Sequence, residues 1–92
     1  MIYDIVGEQG SSISSGSDAN DFTEEGKFLR GNGVTVANLP TNGAGLLQVI
    51  RYTGFRKQIW TDTGSRREFI RLSWGSQANW SSWYEVTLTI VS

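Results

Sequence analysis

Among its 92 residues the chain has no cysteine and no histidine. A disulfide scaffold is therefore excluded, as are Cys/His metal centres and any His-based catalytic triad. Charge of either sign is scarce: eight basic and nine acidic side chains leave a net charge of −1. A dedicated nucleic-acid binder is normally basic, so that class is set aside. Apolar runs reach only two or three residues, so no segment is long enough to cross a membrane as a helix. The first ten residues have neither a basic start nor an apolar stretch, so no signal peptide is expected there. Any export is then expected by another route, such as assembly followed by lysis.

What the chain does have is aromatic side chains (12%) and eleven glycines against a single proline. That composition fits a globular β domain rather than a disordered segment. A chain of this size buries roughly 60–68% of its unfolded surface, enough for one modest core.

The richest stretch is Trp74–Ser92, which holds three of the four tryptophans. It ends in a period-two run: Tyr84, Val86, Leu88 and Ile90 alternate with Glu85, Thr87 and Thr89. Successive side chains of a strand point to opposite faces, so this run predicts a half-buried last strand.

From the start, Ile2–Val6 is β-prone. Gly7–Ser17 has Gly or Ser at eight of eleven positions and reads as a flexible connector. Residues 1–17 are thus expected to be a short strand plus linker, and 18–92 a β domain. Asp18-Ala19-Asn20-Asp21 can cap a short helical turn over about 18–24. Lys27–Arg30 reads as a strand, and Val34–Gly45, punctuated by Asn, Pro and Gly, as a long loop. Leu46–Tyr52 is apolar on both faces, which predicts a central strand covered on both sides. Lys57–Asp62 and Glu68–Ser73 are further strands around a Thr63-Gly64-Ser65 turn. This rhythm predicts a mainly β fold, a small antiparallel meander or sandwich with one short N-terminal helical turn.

Several groupings could carry chemistry. Trp80 and Trp83 read first as core lids, with a sugar platform as the functional alternative. Trp60 and Trp74 are less committed to a core. Arg66, Arg67 and Arg71 lie near Arg51, Arg56 and Lys57 on neighbouring strands. They form either a solvated, edge-guarding face or a basic patch for acidic glycans and phosphates. Trp60, Trp74, Arg66 and Arg67 are the ligand-binding candidates. Asp62 and Glu68 flank one hairpin, but nothing in the sequence fixes the carboxylate spacing that glycoside hydrolysis requires. No phosphate-cradling glycine motif occurs. No catalytic residue, metal site or cofactor is expected.

From Asp18 to Val86 the chain resembles the pyocin knob domain of phage tail fibres and R-type pyocin fibres. The resemblance starts with Asp18, Asn20, Phe22, Thr23, Gly26 and Phe28. It continues through Asn38-Leu39-Pro40 and Gly45–Val49, then Gln58, Ile59, Trp60 and Asp62, then Phe69-Ile70-Arg71. It closes on Trp80-Ser81-Ser82-Trp83, followed by Tyr84-Glu85-Val86. Ser82 replaces a common proline, and Trp60 a common smaller aromatic. The resemblance implies a non-catalytic adhesive domain in a homotrimeric fibre of a virion or fibre-like bacteriocin. Its implied partner is a bacterial surface polysaccharide, lipopolysaccharide or teichoic acid, with neither nucleic acid nor membrane insertion involved. Two alternatives stay open: a purely structural clamp or folding module of the fibre, and an accessory carbohydrate-binding module of a capsule depolymerase. The family carries no defined catalytic residues, so none is transferred. With the W-S-S-W pair assigned to the core, binding is expected around Trp60, Trp74 and the arginine-bearing hairpin.

Overall fold

The computed structural model describes residues 10–87 and 89–91. The strand expected over Ile2–Val6, and Leu88 in the last alternating run, lie outside the described residues. The fold is mainly β, built on a mixed six-stranded sheet. Its centre is an antiparallel meander of three eight-residue strands, β5 (Gly45–Tyr52), β6 (Phe55–Asp62) and β7 (Arg67–Trp74). β3 (Gly26–Arg30) lies outside β5, and β8 (Tyr84–Val86) outside β7. Two parallel pairings depart from the expected antiparallel pattern. β1 (Ser11–Ser12) runs parallel to β3, and β2 (Ser17–Asp18) pairs with β4 (Val36–Ala37) as a separate two-stranded sheet.

The Gly/Ser run from residue 10 onward is therefore no free connector. Ile13 is buried in the core cluster and its N–H donates to Leu29 O at 2.8 Å. Backbone pairing and the buried Ile13 side chain together hold this path beside β3. Likewise, the loop expected over 34–45 contributes β4. The short helical turn expected over about 18–24 is a 3₁₀ turn over Ala19–Asp21, with Asp18 as N-cap accepting from Asn20 N.

The register puts Leu47, Trp60 and Phe69 in one row, and Val49, Gln58 and Arg71 in the next. This inner face is covered by the loops carrying Ile13, Ala19, Phe22, Val36, Leu39 and Trp83. Among the described residues the outer face has no such layer. Leu29, Ile50, Tyr52, Trp74 and Tyr84 all belong to it and are exposed, Tyr52 at 77% and Trp74 at 69%. β5 is central in the sheet as expected, but among the described residues it is covered on one side only. The last strand is shorter than its alternation predicts, ending at Val86. Its Tyr84 is 62% exposed, and Ile90 and Val91 beyond it are also exposed.

Candidate functional site

Polar side chains on the inner face do the unusual work in this fold. Arg30, Arg56, Gln58, Asp62, Arg71 and Ser73 are all buried. Buried polar groups need partners, and here those partners are mostly loop atoms. Arg30 donates from Nε to Val34 O and from Nη1 to Gly43 O. Gln58 donates from Nε2 to Ala19 O at 2.7 Å and Phe22 O at 2.9 Å. Asp62 accepts from Thr41 Oγ1 and from the Gly64 and Ser65 N–H groups. Those bonds hold its carboxyl below the ordinary value of 3.8, the Thr41 hydroxyl contributing most. Each strand thus fastens the loop that crosses it.

Arg71 stands at the centre of the largest such arrangement. Its guanidinium carbon lies 4.7 Å from the Trp80 ring centre and 4.5 Å from that of Trp83. The cation thus lies over both aromatic rings, a contact stabilised by the ring quadrupoles. Nε donates to Gln58 Oε1 at 2.8 Å. Arg71 is 4% exposed, and its Nη2 is buried without a hydrogen-bond partner among the described residues. Burial pulls its pKa down to about 10, opposed by the charge of Asp18, so it stays protonated at neutral pH.

The two tryptophans are held from both ends. Trp80 Nε1 donates to Asn20 O at 3.1 Å, and Trp83 Nε1 to Asn38 O at 2.9 Å. Ser81 docks the segment on β7: its N–H donates to Leu72 O, and its Oγ accepts from Leu72 N. Asn38 adopts φ of 64°, a left-handed conformation that asparagine tolerates better than most residues. Its side chain donates to Asp18 Oδ1 at 2.8 Å. That bond, with the one from Asn20 N, keeps the Asp18 carboxyl below its ordinary pKa.

A groove of about 780 Å³ opens beside this cluster. Asn20, Asp21, Thr23, Asn38, Asn79 and Trp80 line it, and Arg71 is its most deeply buried member. It offers amide, carboxylate and hydroxyl groups along one aromatic edge. Among the described residues no group of three or more acidic side chains is placed to hold a metal ion.

The residues singled out from sequence are distributed differently. Trp60 is fully buried, with its Nε1 donating to Thr41 Oγ1, so no ring face is left for a ligand. Gln58 and Asp62, two positions to either side of it in β6, are buried on the same face. Trp74 is exposed on the outer face, its ring centre 4.7 Å from that of Phe55. It borders a second hollow of about 400 Å³ with Leu72, Trp80 and Tyr84. Arg66 is exposed in the β6–β7 turn at φ 59°. Arg67 is exposed at the start of β7, in a two-bond ion pair with Glu85 at 2.9 Å. Arg67 and Trp74 sit at opposite ends of β7, about 23 Å apart at 3.3 Å per residue, and their odd spacing puts them on opposite faces. They do not form one site.

The wider basic cluster also disperses. Arg56 is buried against the Gly75 and Ser76 carbonyls, Arg51 pairs with Glu24, and Lys57 belongs to the outer face. Asp62 and Glu68 diverge too: Glu68 accepts from Thr61 on the outer face. What sequence reasoning missed is the groove at Asn20, Asn38 and Asn79. The only signal for it was that Asp18, Asn20, Asn38, Gln58, Arg71, Trp80 and Trp83 all belong to the recurring motif segments, and these converge here.

No family model matches the chain, and no curated protein matches its sequence. Its structure resembles that of an N-truncated R2-type pyocin tail fibre, with a TM-score of 0.69 at 19% identity. The likeness covers 85% of this chain and 32% of the fibre chain, so this chain spans about a third of that fibre's length. At that identity the likeness is one of fold, and the fold is pyocin-fibre-like.

Proposed function

We propose that this chain is a non-catalytic adhesive domain of the pyocin-knob type, from a phage tail fibre or fibre-like bacteriocin, that binds a bacterial surface glycan. The observation that carries the reading is the groove beside Arg71, set in a fibre-like fold. Its Asn, Asp and Thr side chains offer closely spaced donors and acceptors, which hydroxyl-rich ligands match. In the full fibre the domain acts as one of three copies. Linked copies raise a weak single-site affinity by about 10²–10⁴. The test is retention of the labelled chain on an array of purified bacterial surface polysaccharides, including lipopolysaccharide and teichoic acid. Retention that falls on Asn79→Ala supports adhesion through the groove. Absence of retention on every polysaccharide overturns it.

A second reading is favoured by one separate observation, the uncovered outer face of the sheet. Leu29, Ile50, Tyr52, Trp74 and Tyr84 there would suit contact with further copies of the chain, giving the domain a clamping role in the fibre. The two readings use different faces of the sheet and are compatible.

A further inference from the structure

We propose that the groove selects neutral sugars, hexopyranoses or N-acetylhexosamines, over acidic ones; this rests on the adhesive reading above. The argument begins with Arg71, the one cation of the groove lining. Recognition of a carboxylate or phosphate by arginine usually uses two parallel N–H groups. That fork is not free here. Nε is committed to Gln58 Oε1, and Nη2 is buried out of reach. The rings of Trp80 and Trp83 both pack against the guanidinium, their centres 4.7 and 4.5 Å from its carbon. What remains for a ligand is Nη1, a donor suited to a hydroxyl or a ring oxygen.

The remaining charges point the same way. Asp21 lines the groove, and Asp18 stands behind Asn38, bonded to its side chain. Two carboxylates against one guanidinium leave the site with an excess negative charge, which repels an anionic ligand. The same carboxylate at Asp21 accepts well from a neutral hydroxyl. Asn20, Asn38, Asn79 and Thr23 supply the complementary donors and acceptors that adjacent sugar hydroxyls require. Trp80 adds an aromatic surface at the rim for the C–H face of a ring.

The experiment is a titration of the full chain with methyl glycosides of mannose, galactose, glucose and N-acetylglucosamine. Glucuronic acid, N-acetylneuraminic acid and inorganic phosphate are run in parallel. Intrinsic fluorescence of the four tryptophans, Trp80 among them, follows binding, and isothermal calorimetry measures the affinities. At least one neutral glycoside is expected to bind about tenfold or more tighter than any acidic probe. Asn79→Ala should weaken that binding, and Asp21→Asn, at an exposed site, should narrow the neutral-to-acidic ratio. Preferential binding of acidic sugars or phosphate overturns the selectivity, as does neutral binding untouched by Asn79→Ala, while polysaccharide retention would still uphold adhesion. Loss of all binding, to monosaccharides and polysaccharides alike, overturns both.

Discussion

Gln58 and Arg71 face each other across β6 and β7, and Arg71 Nε donates to Gln58 Oε1 at 2.8 Å. Gln58 in turn holds the Ala19 and Phe22 carbonyls through its amide nitrogen. One fully buried amide therefore couples the cation under the tryptophans to the loop on the groove's other side. Gln58→Leu keeps a comparable volume but strips three partners at once. Equilibrium urea unfolding should show a loss of about 2–4 kcal/mol, because a buried charged donor and two carbonyls are left unpaired. A change below about 0.5 kcal/mol would show that the coupling is not structural.

Acid should unfold the domain partly through Asp62. Its carboxyl is held below 3.8 by hydrogen bonds from Thr41, Ser65 and Gly64. A depressed folded pKa means a stability contribution that is complete above the unfolded value. That contribution is lost as pH falls from about 3.8 through the folded value. Asp18, lowered by its bonds from Asn38 and Asn20, acts in the same window. Asp62→Asn should lower stability at neutral pH and flatten the acid limb of a stability-versus-pH curve below about pH 4. An unchanged slope in circular dichroism melts across that range would contradict this.

Gly45 is required for close approach. A Cβ there would clash with Thr61 O and meet the Trp60 ring at 2.8 Å. Both neighbours are fixed in the sheet, so neither can give way cheaply. Gly45→Ala should destabilise by about 1–3 kcal/mol or more, as overpacking of a core does. Thermal denaturation measures it; Gly31→Ala, where nothing lies within 4 Å, is the control and should melt near wild type.

The outer face is testable by association. Light scattering over a concentration series should reveal self-association of the chain if copies meet through this face. Tyr52→Lys and Tyr84→Lys replace exposed rings, at 77% and 62% exposure, and should leave the fold intact. They are expected to abolish the larger species while leaving saccharide binding in the groove unchanged. Association that survives both substitutions places the contact elsewhere.

Much of the strand layout was legible. Gly and Asn turns bracket β5, β6 and β7, and the N-cap at Asp18 fell where its spacing to Asn20 predicts. The sidedness of the sheet was not. β5 is apolar on both faces, and the inward row of β6 reads Arg56, Gln58, Trp60, Asp62, which resembles an exposed face. For the same reason Trp60 read as an available ring, and the arginines of β6 and β7 as one patch.

The sequence by itself determined the long strands β3, β5, β6 and β7 and the turns between them. Period-two alternation and turn residues act over a few neighbours, so their information is local. It also excluded thiol, imidazole and disulfide chemistry outright, by composition. Only the tertiary structure decided which face is covered, where Arg71 sits and what the groove contains. The reason is physical: a buried arginine or glutamine is tolerable only when its partners are supplied, and here they come from loops distant in the chain. Asn20 reaches Trp80, and Asn38 reaches Trp83, across 60 and 45 residues. Those contacts fix the polar inner face as interior and leave the more apolar one open.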